Sequence, residues 1–219
     1  PIISFRYSPN GNSDLSSKDI QLNYNSVFGL NRIGESSQVE GGESLSLGLE
    51  FRRMENNGPE IFNLKMANVI KTKTDYRMPS KSKLNEKRSD IFGELNYNLT
   101  ENLDFAYHFS YDKDLKYSNL NQFSYDLNVN NFYTNISYYS EHNDLPVEEH
   151  IKNTTKIDLN DENMLSFEIS KDLDKNFTQY YDLIYSYKTD CISFNLNYNK
   201  SFYEDGNLEP NKSLSFLIK

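Results

Sequence analysis

The sequence predicts an all-β fold, an antiparallel β-barrel of the transmembrane kind. Three observations predict it. Apolar and polar residues alternate with period two, the alternating segments are long, and the links between them alternate short and long through the second half. Successive side chains of a strand point to opposite faces, so this alternation gives one apolar and one polar face. Several segments run to about ten residues, beyond the common five or six and suited to a tilted membrane strand of about 9–11. Short turns at one end and longer loops at the other are typical of outer-membrane barrels.

The segments follow one another along the chain. Leu45, Leu47, Leu49 and Phe51 alternate with Ser44, Ser46, Gly48 and Glu50. Ile91, Gly93, Leu95, Tyr97 and Leu99 alternate with Phe92, Glu94, Asn96 and Asn98. Leu103, Phe105, Tyr107, Phe109 and Tyr111 alternate with Asp104, Ala106, His108, Ser110 and Asp112. Further stripes are Phe123, Tyr125, Leu127 and Val129, then Tyr181, Leu183, Tyr185 and Tyr187. Ile192, Phe194, Leu196 and Tyr198 come next, and Leu214, Phe216 and Ile218 close the chain. The total is about a dozen strands, and no segment has helical spacing.

Short turns fall near Thr100-Glu101, Asn130-Asn131, Asn160-Asp161 and Thr189-Asp190, and longer links near residues 112–118, 141–150, 172–176 and 204–211. On this parity the last strand ends on the short-turn, periplasmic side. The stretch 71–90, with Lys71, Lys73, Lys81, Lys83, Lys87 and Arg88, is then an external loop. The first half fits less cleanly, because residues 9–17 are too long for a short turn.

Composition narrows the class. Apolar residues are 37%, below the usual globular share of about 45–50%. No apolar run approaches the roughly 18 residues of a membrane helix, which excludes a helical membrane protein but not a barrel. Tyr 17 and Phe 14 argue against disorder. A net charge of -9 argues against a nucleic-acid partner. One cysteine permits no internal disulfide and no thiolate metal site, and no histidine pair has zinc spacing, so no metal or cofactor is expected. The sequence opens at Pro1, and a signal peptide, if the protein has one, lies outside these residues. A soluble sandwich also alternates; long strands, Tyr/Phe-rich stripes and an Asn/Ser-rich polar face favour the barrel.

Three further groups carry candidate chemistry. His108 and Ser110 lie two apart on one strand face, the spacing with which outer-membrane lipid hydrolases activate a serine. They share that face with Asp104 and Asp112, the lumen side, and the sequence continues Ser110-Tyr111-Asp112 rather than Ser-Asn-Gly, so lumen lining is the favoured reading. Glu148, Glu149 and His150 read as a solvated loop after Pro146, with cation binding as the sharper alternative. Gly41 and Gly42 precede a strand rather than a helix, so they imply turn or bulge geometry and no phosphate loop.

Four stretches together resemble a known family: Phe5-Arg6-Tyr7-Ser8-Pro9-Asn10; Leu30-Asn31-Arg32-Ile33 with Val39-Glu40-Gly41-Gly42-Glu43-Ser44-Leu45; Tyr181-Asp182-Leu183 with Tyr187 to Cys191; and Tyr198-Asn199-Lys200-Ser201-Phe202-Tyr203-Glu204-Asp205 with Leu208-Glu209-Pro210. The chain resembles the C-terminal barrel half of the LptD family, the lipopolysaccharide-assembly (organic solvent tolerance) proteins of the Gram-negative outer membrane. The resemblance implies that residues 1–219 are the C-terminal portion of a larger outer-membrane barrel. It implies a non-enzymatic role: lipopolysaccharide arrives from periplasmic bridge proteins and enters the outer leaflet through a lateral seam of the barrel. An LptE-like plug lipoprotein is the implied lumen partner. Leu214, Phe216 and Ile218 would form one wall of the seam. Cys191 would pair with a cysteine of the periplasmic N-terminal domain, in an oxidising compartment; an unpaired cysteine packed as a small hydrophobe is the alternative. A generic porin and a lipid hydrolase using His108 and Ser110 are the rival functions.

Overall fold

The computed structural model describes residues 1–34, 40–55, 58–81, 83–142, 147–202 and 209–218. Val39, Pro146, Tyr203, Glu204, Asp205 and Leu208, quoted above, lie outside the described residues. The strands are β1 (Ile2–Ser8), β2 (Gly42–Met54), β3 (Glu60–Lys71), β4 (Ile91–Thr100), β5 (Leu103–Tyr111), β6 (Ser118–Val129), β7 (Phe132–Glu141), β8 (Glu148–Asn160), β9 (Asn163–Asp172), β10 (Phe177–Lys188), β11 (Ser193–Ser201) and β12 (Asn211–Ile218). One helical turn, α1 (Tyr24–Val27), lies between β1 and β2. The strands make one 12-stranded antiparallel sheet in chain order, with β1 and β12 as its edges. Among the described residues, no helix is long and apolar enough to cross a membrane.

Connections follow strand parity except at 173–176, the link after β9, which is no longer than 189–192 after β10. Those leaving even-numbered strands are short: residues 55–59, 101–102, 130–131, 161–162 and 189–192. Those leaving odd-numbered strands include all the long ones, 9–41 and 72–90 foremost. The misfit of residues 9–17 thereby disappears, because they open a single long link and not a short turn. The sequence pattern of that link is apolar without being a strand, since Leu15, Leu22, Tyr24, Val27 and Ile33 are all buried.

The residues fall into two compact units. The first comprises Pro1–Tyr97, Ala106–Asn121 and Glu141–Pro146, and the second Asn98–Phe105, Gln122–Ser140 and Val147–Lys219. In the first unit the register pairs Leu45 with Ile70, Leu47 with Asn68, Leu49 with Met66 and Phe51 with Leu64 on one face. That face is open: Phe5 is 71% exposed and Phe51 57%. The opposite face carries Ser44, Ser46, Asn63, Ala67, Val69 and Phe92, all buried. The two long links cover it, and their Leu15, Leu22, Val27, Ile33, Met78 and Leu84 pack with Ala67, Val69 and Phe92 into the hydrophobic core. Phe92, which breaks the polar row of β4 in the sequence, is thus an anchor for the covering loops.

In the second unit the two rows also separate. Leu183 pairs with Phe167 and Tyr198, and Leu214 with Tyr198, on one face. The other face is knitted by polar side chains. Glu168 accepts from Lys152 (2.8 Å), Thr154 (2.9 Å) and Tyr180 (2.7 Å). Asp182 accepts from Asn199 at 2.6 Å, and Asp126 from Tyr133 at 2.7 Å and Asn135 at 2.8 Å.

Candidate functional site

The covered face of the first unit holds the densest charge chemistry. The link from β1 turns at α1, whose start is fixed by a reciprocal cap: Ser26 N donates to Asn23 Oδ1 and Asn23 N to Ser26 Oγ, both at 2.9 Å. With Tyr24 and Val27 buried there, the chain delivers Arg32 onto the polar row of β2. Its guanidinium grips Glu40 with two nitrogens, Nε on Oε2 and Nη2 on Oε1 at 2.7 Å, and also donates to Ser44 Oγ at 2.9 Å and Ser46 Oγ at 3.3 Å.

Two more cations reach the same carboxylate, Arg6 Nη1 and Lys71 Nζ, each at 3.3 Å. Lys71 donates a second bond to Leu84 O at 3.0 Å, tying the 72–90 link to the cluster. Burial pushes the Glu40 carboxyl up; the Arg32 hydrogen bonds and the charges of Arg32, Lys71 and Arg6 outweigh it and hold the group below the usual carboxylate range. One buried anion thus neutralises only part of three cations.

The two glycines enter here. Gly41 N donates to Asn12 Oδ1 at 2.5 Å, and a Cβ on Gly41 would stand 1.9 Å from Asn10 O. Gly42 has φ 89°, in the left-handed region that favours glycine. Together they let the first residues of the link press against the start of β2.

A second buried polar group joins loop to strand. Asp90 is fully buried and accepts from Ser110 Oγ at 3.0 Å and Asn119 Nδ2 at 2.7 Å. Burial pushes its carboxyl up, against the pull of those two bonds. The Ser110 hydroxyl proton is therefore directed to Asp90 and not toward His108, and Ser110 itself is fully buried. That geometry gives the hydrolase reading no activated, accessible nucleophile.

The other sequence candidates lie apart. Cys191 is exposed and free in the short link between β10 and β11. Leu214, Phe216 and Ile218 are exposed on the edge strand β12, with the Phe216 ring 4.4 Å from that of Phe194. Glu149 accepts from Tyr138 at 2.6 Å and His150 stacks on Tyr139 at 4.9 Å, so both lie in β8 rather than a free loop. No three His, Cys, Asp or Glu among the described residues are placed to hold a metal ion. In the sequence the Arg32–Glu40 pair stands only within a longer motif; opposite charges eight residues apart inside one link are its available signal. Asp90 offered none, since nothing local marks it as buried.

In each unit one face of the strands is apolar along their middles, with charged residues such as Arg53, Lys171 and Lys200 only toward the strand ends, and the opposite face carries the clustered polar side chains. In a comparison with family models, residues 1–162 match LptD, described as LPS transport system D. A search of the curated proteins finds no match.

Proposed function

The chain belongs to the LptD family of lipopolysaccharide transport proteins, and from that premise we propose that it inserts lipopolysaccharide into the outer leaflet of the Gram-negative outer membrane. The observation that supports this reading best is the division of the sheet into an open apolar row and a polar row. Hydrocarbon tolerates backbone only where every N–H and C=O is paired, as in a sheet, and tolerates side chains only where they are apolar. An amphiphile with a large anionic head cannot cross that slab unaided. A polar interior shelters the head, and an edge whose pairing is weak lets acyl chains leave sideways.

In this reading β12 supplies one wall of the exit seam through Leu214, Phe216 and Ile218. An LptE-like lipoprotein occupies the polar interior, and periplasmic bridge proteins deliver the lipid. Cys191, on the short-turn side, pairs with a cysteine of the periplasmic domain. The test is replacement of the native protein in cells by a depletable copy. Surface lipopolysaccharide should fall on depletion and return with the wild-type gene. Unchanged surface lipopolysaccharide, with lost permeation of small solutes, would replace transport by a porin function. Non-reducing electrophoresis should show a mobility shift on reduction that Cys191→Ser abolishes; equal mobility would remove the disulfide from the account.

A further inference from the structure

The 72–90 link rejoins the sheet at a dry joint. Ser89 N donates to Val69 O at 2.9 Å, Val69 N donates to Ser89 Oγ at 2.8 Å, and Ser89 Oγ donates to Asp90 O at 2.8 Å. Ser89, Asp90, Ser110 and Asn119 are each no more than 2% exposed. Both donors that reach the Asp90 side chain, Ser110 Oγ and Asn119 Nδ2, bond the same atom, Oδ2. Its Oδ1 is buried and has no hydrogen-bond partner among the described residues. A carboxylate carries charge on both oxygens and requires donors at each. An acid with its carbonyl at Oδ2 and its hydroxyl at Oδ1 leaves only a neutral group unpaired, a far smaller cost than an uncompensated buried charge.

The charges around the joint do not reverse this. Burial keeps the Asp90 carboxyl above its usual range, with Asp112 adding to the effect and Lys83, on the same link, opposing it. Tyr117, on the β5–β6 connection, also senses Asp90 and is a neutral phenol through this range. At the end of β7, Glu141 is paired with Lys81 at 2.8 Å, and His142 N donates to Asn119 O at 2.9 Å. We propose that the docked link holds Asp90 as a neutral acid and that its ionisation, with the proton passing to solvent, detaches residues 88–90 from the sheet. The joint is then a latch that opens as pH rises. The other attachment of the link has the opposite sign: Lys71 Nζ bonds both Leu84 O and Glu40, whose carboxyl stays ionised as pH rises. The link therefore releases at its β4 end while it stays held at Leu84.

The experiment follows amide hydrogen exchange of Ser89 in the intact protein in detergent, corrected for the intrinsic effect of pH on exchange. A raised folded value makes the contribution of Asp90 complete below the ordinary value of about 3.9 and progressively lost as pH rises above it. Protection of Ser89 N should therefore be highest near about pH 4 and fall at least about tenfold by about pH 8. In Asp90→Asn the side-chain carbonyl still accepts both bonds and the group cannot ionise, so protection should stay high and level. Leu173 N, which donates to Glu149 O at 2.8 Å in the second unit, reports general loosening and should stay level in both proteins. Asp112→Asn removes the opposing anion and should make the fall at Ser89 smaller, a readout that stands even if Asp90→Asn does not fold. A level wild-type profile, an equal fall in Asp90→Asn (which would assign the titration to another group such as His142), a parallel fall at Leu173, or an unchanged fall in Asp112→Asn would overturn the proposal.

Discussion

Single residues hold the loops to the sheet, and two of them make the account testable. Glu40 is the anion that Arg6, Arg32 and Lys71 all reach. Glu40→Gln keeps the shape and removes their shared counter-charge, a loss of about 3–5 kcal/mol by analogy with broken buried pairs. Thermal unfolding of the intact protein in detergent should show a clear drop in midpoint, while Glu55→Gln, at the opposite link of β2, should show none. Asp75 reads out the same loop through pH. Arg77 bonds both of its oxygens and Asn12 one of them, holding the carboxyl at about 2. A depressed folded value means the undocked loop takes up a proton more readily. The contribution is present above the ordinary value of about 3.9 and fades as pH falls toward about 2. Leu15 N donates to Arg77 O at 2.7 Å, so its hydrogen-exchange protection should fall across that window. Asp75→Asn should show low protection at every pH.

At the scale of elements, period two carried most of the fold. Every stripe from Leu45 to Ile218 lies in a strand, apart from Ile192, which sits one residue before β11. Alternation survives because each face has a uniform environment, so a one-residue slip would turn a whole row over. What failed was the covered part. Leu15, Leu22 and Ile33 are buried without periodicity, because a loop packing on a sheet follows the sheet's surface and not a repeat of its own. The turn α1 is too short for any helical pattern, and only Asn23 and Ser26 announce it. Likewise the Glu40 cluster joins residues 6, 32, 40 and 71, and no local window contains it. Gly41→Ala tests this element directly. Its methyl would strike the Asn10 carbonyl, a backbone atom that moves only if the link moves. Proteolysis of the intact protein should then cut within residues 9–34 at a higher rate than in wild type. Gly93→Ala also meets close atoms, the ring of Phe109, but a side-chain tip can turn aside, so the same cleavage should be unchanged.

For the whole molecule the decisive property is the opposition of two faces along one sheet. Everything proposed about lipopolysaccharide depends on the open row meeting hydrocarbon. In β10 the apolar row is Tyr181, Leu183, Tyr185 and Tyr187, with Leu183 exposed and the tyrosines half-buried, and the other row holds Tyr180, Asp182 and Ser186 beside Ile184. The most direct measurement is a nitroxide scan of residues 180–187, one cysteine at a time, in the Cys191→Ser background of the intact protein in lipid bilayers. Collision with oxygen should peak at 181, 183 and 185, and collision with a water-soluble nickel chelate at 180, 182 and 186, the two profiles running out of phase with period two. Low accessibility to both reagents in the Tyr181–Leu183–Tyr185 row would place it in a dry protein interior and contradict the membrane account.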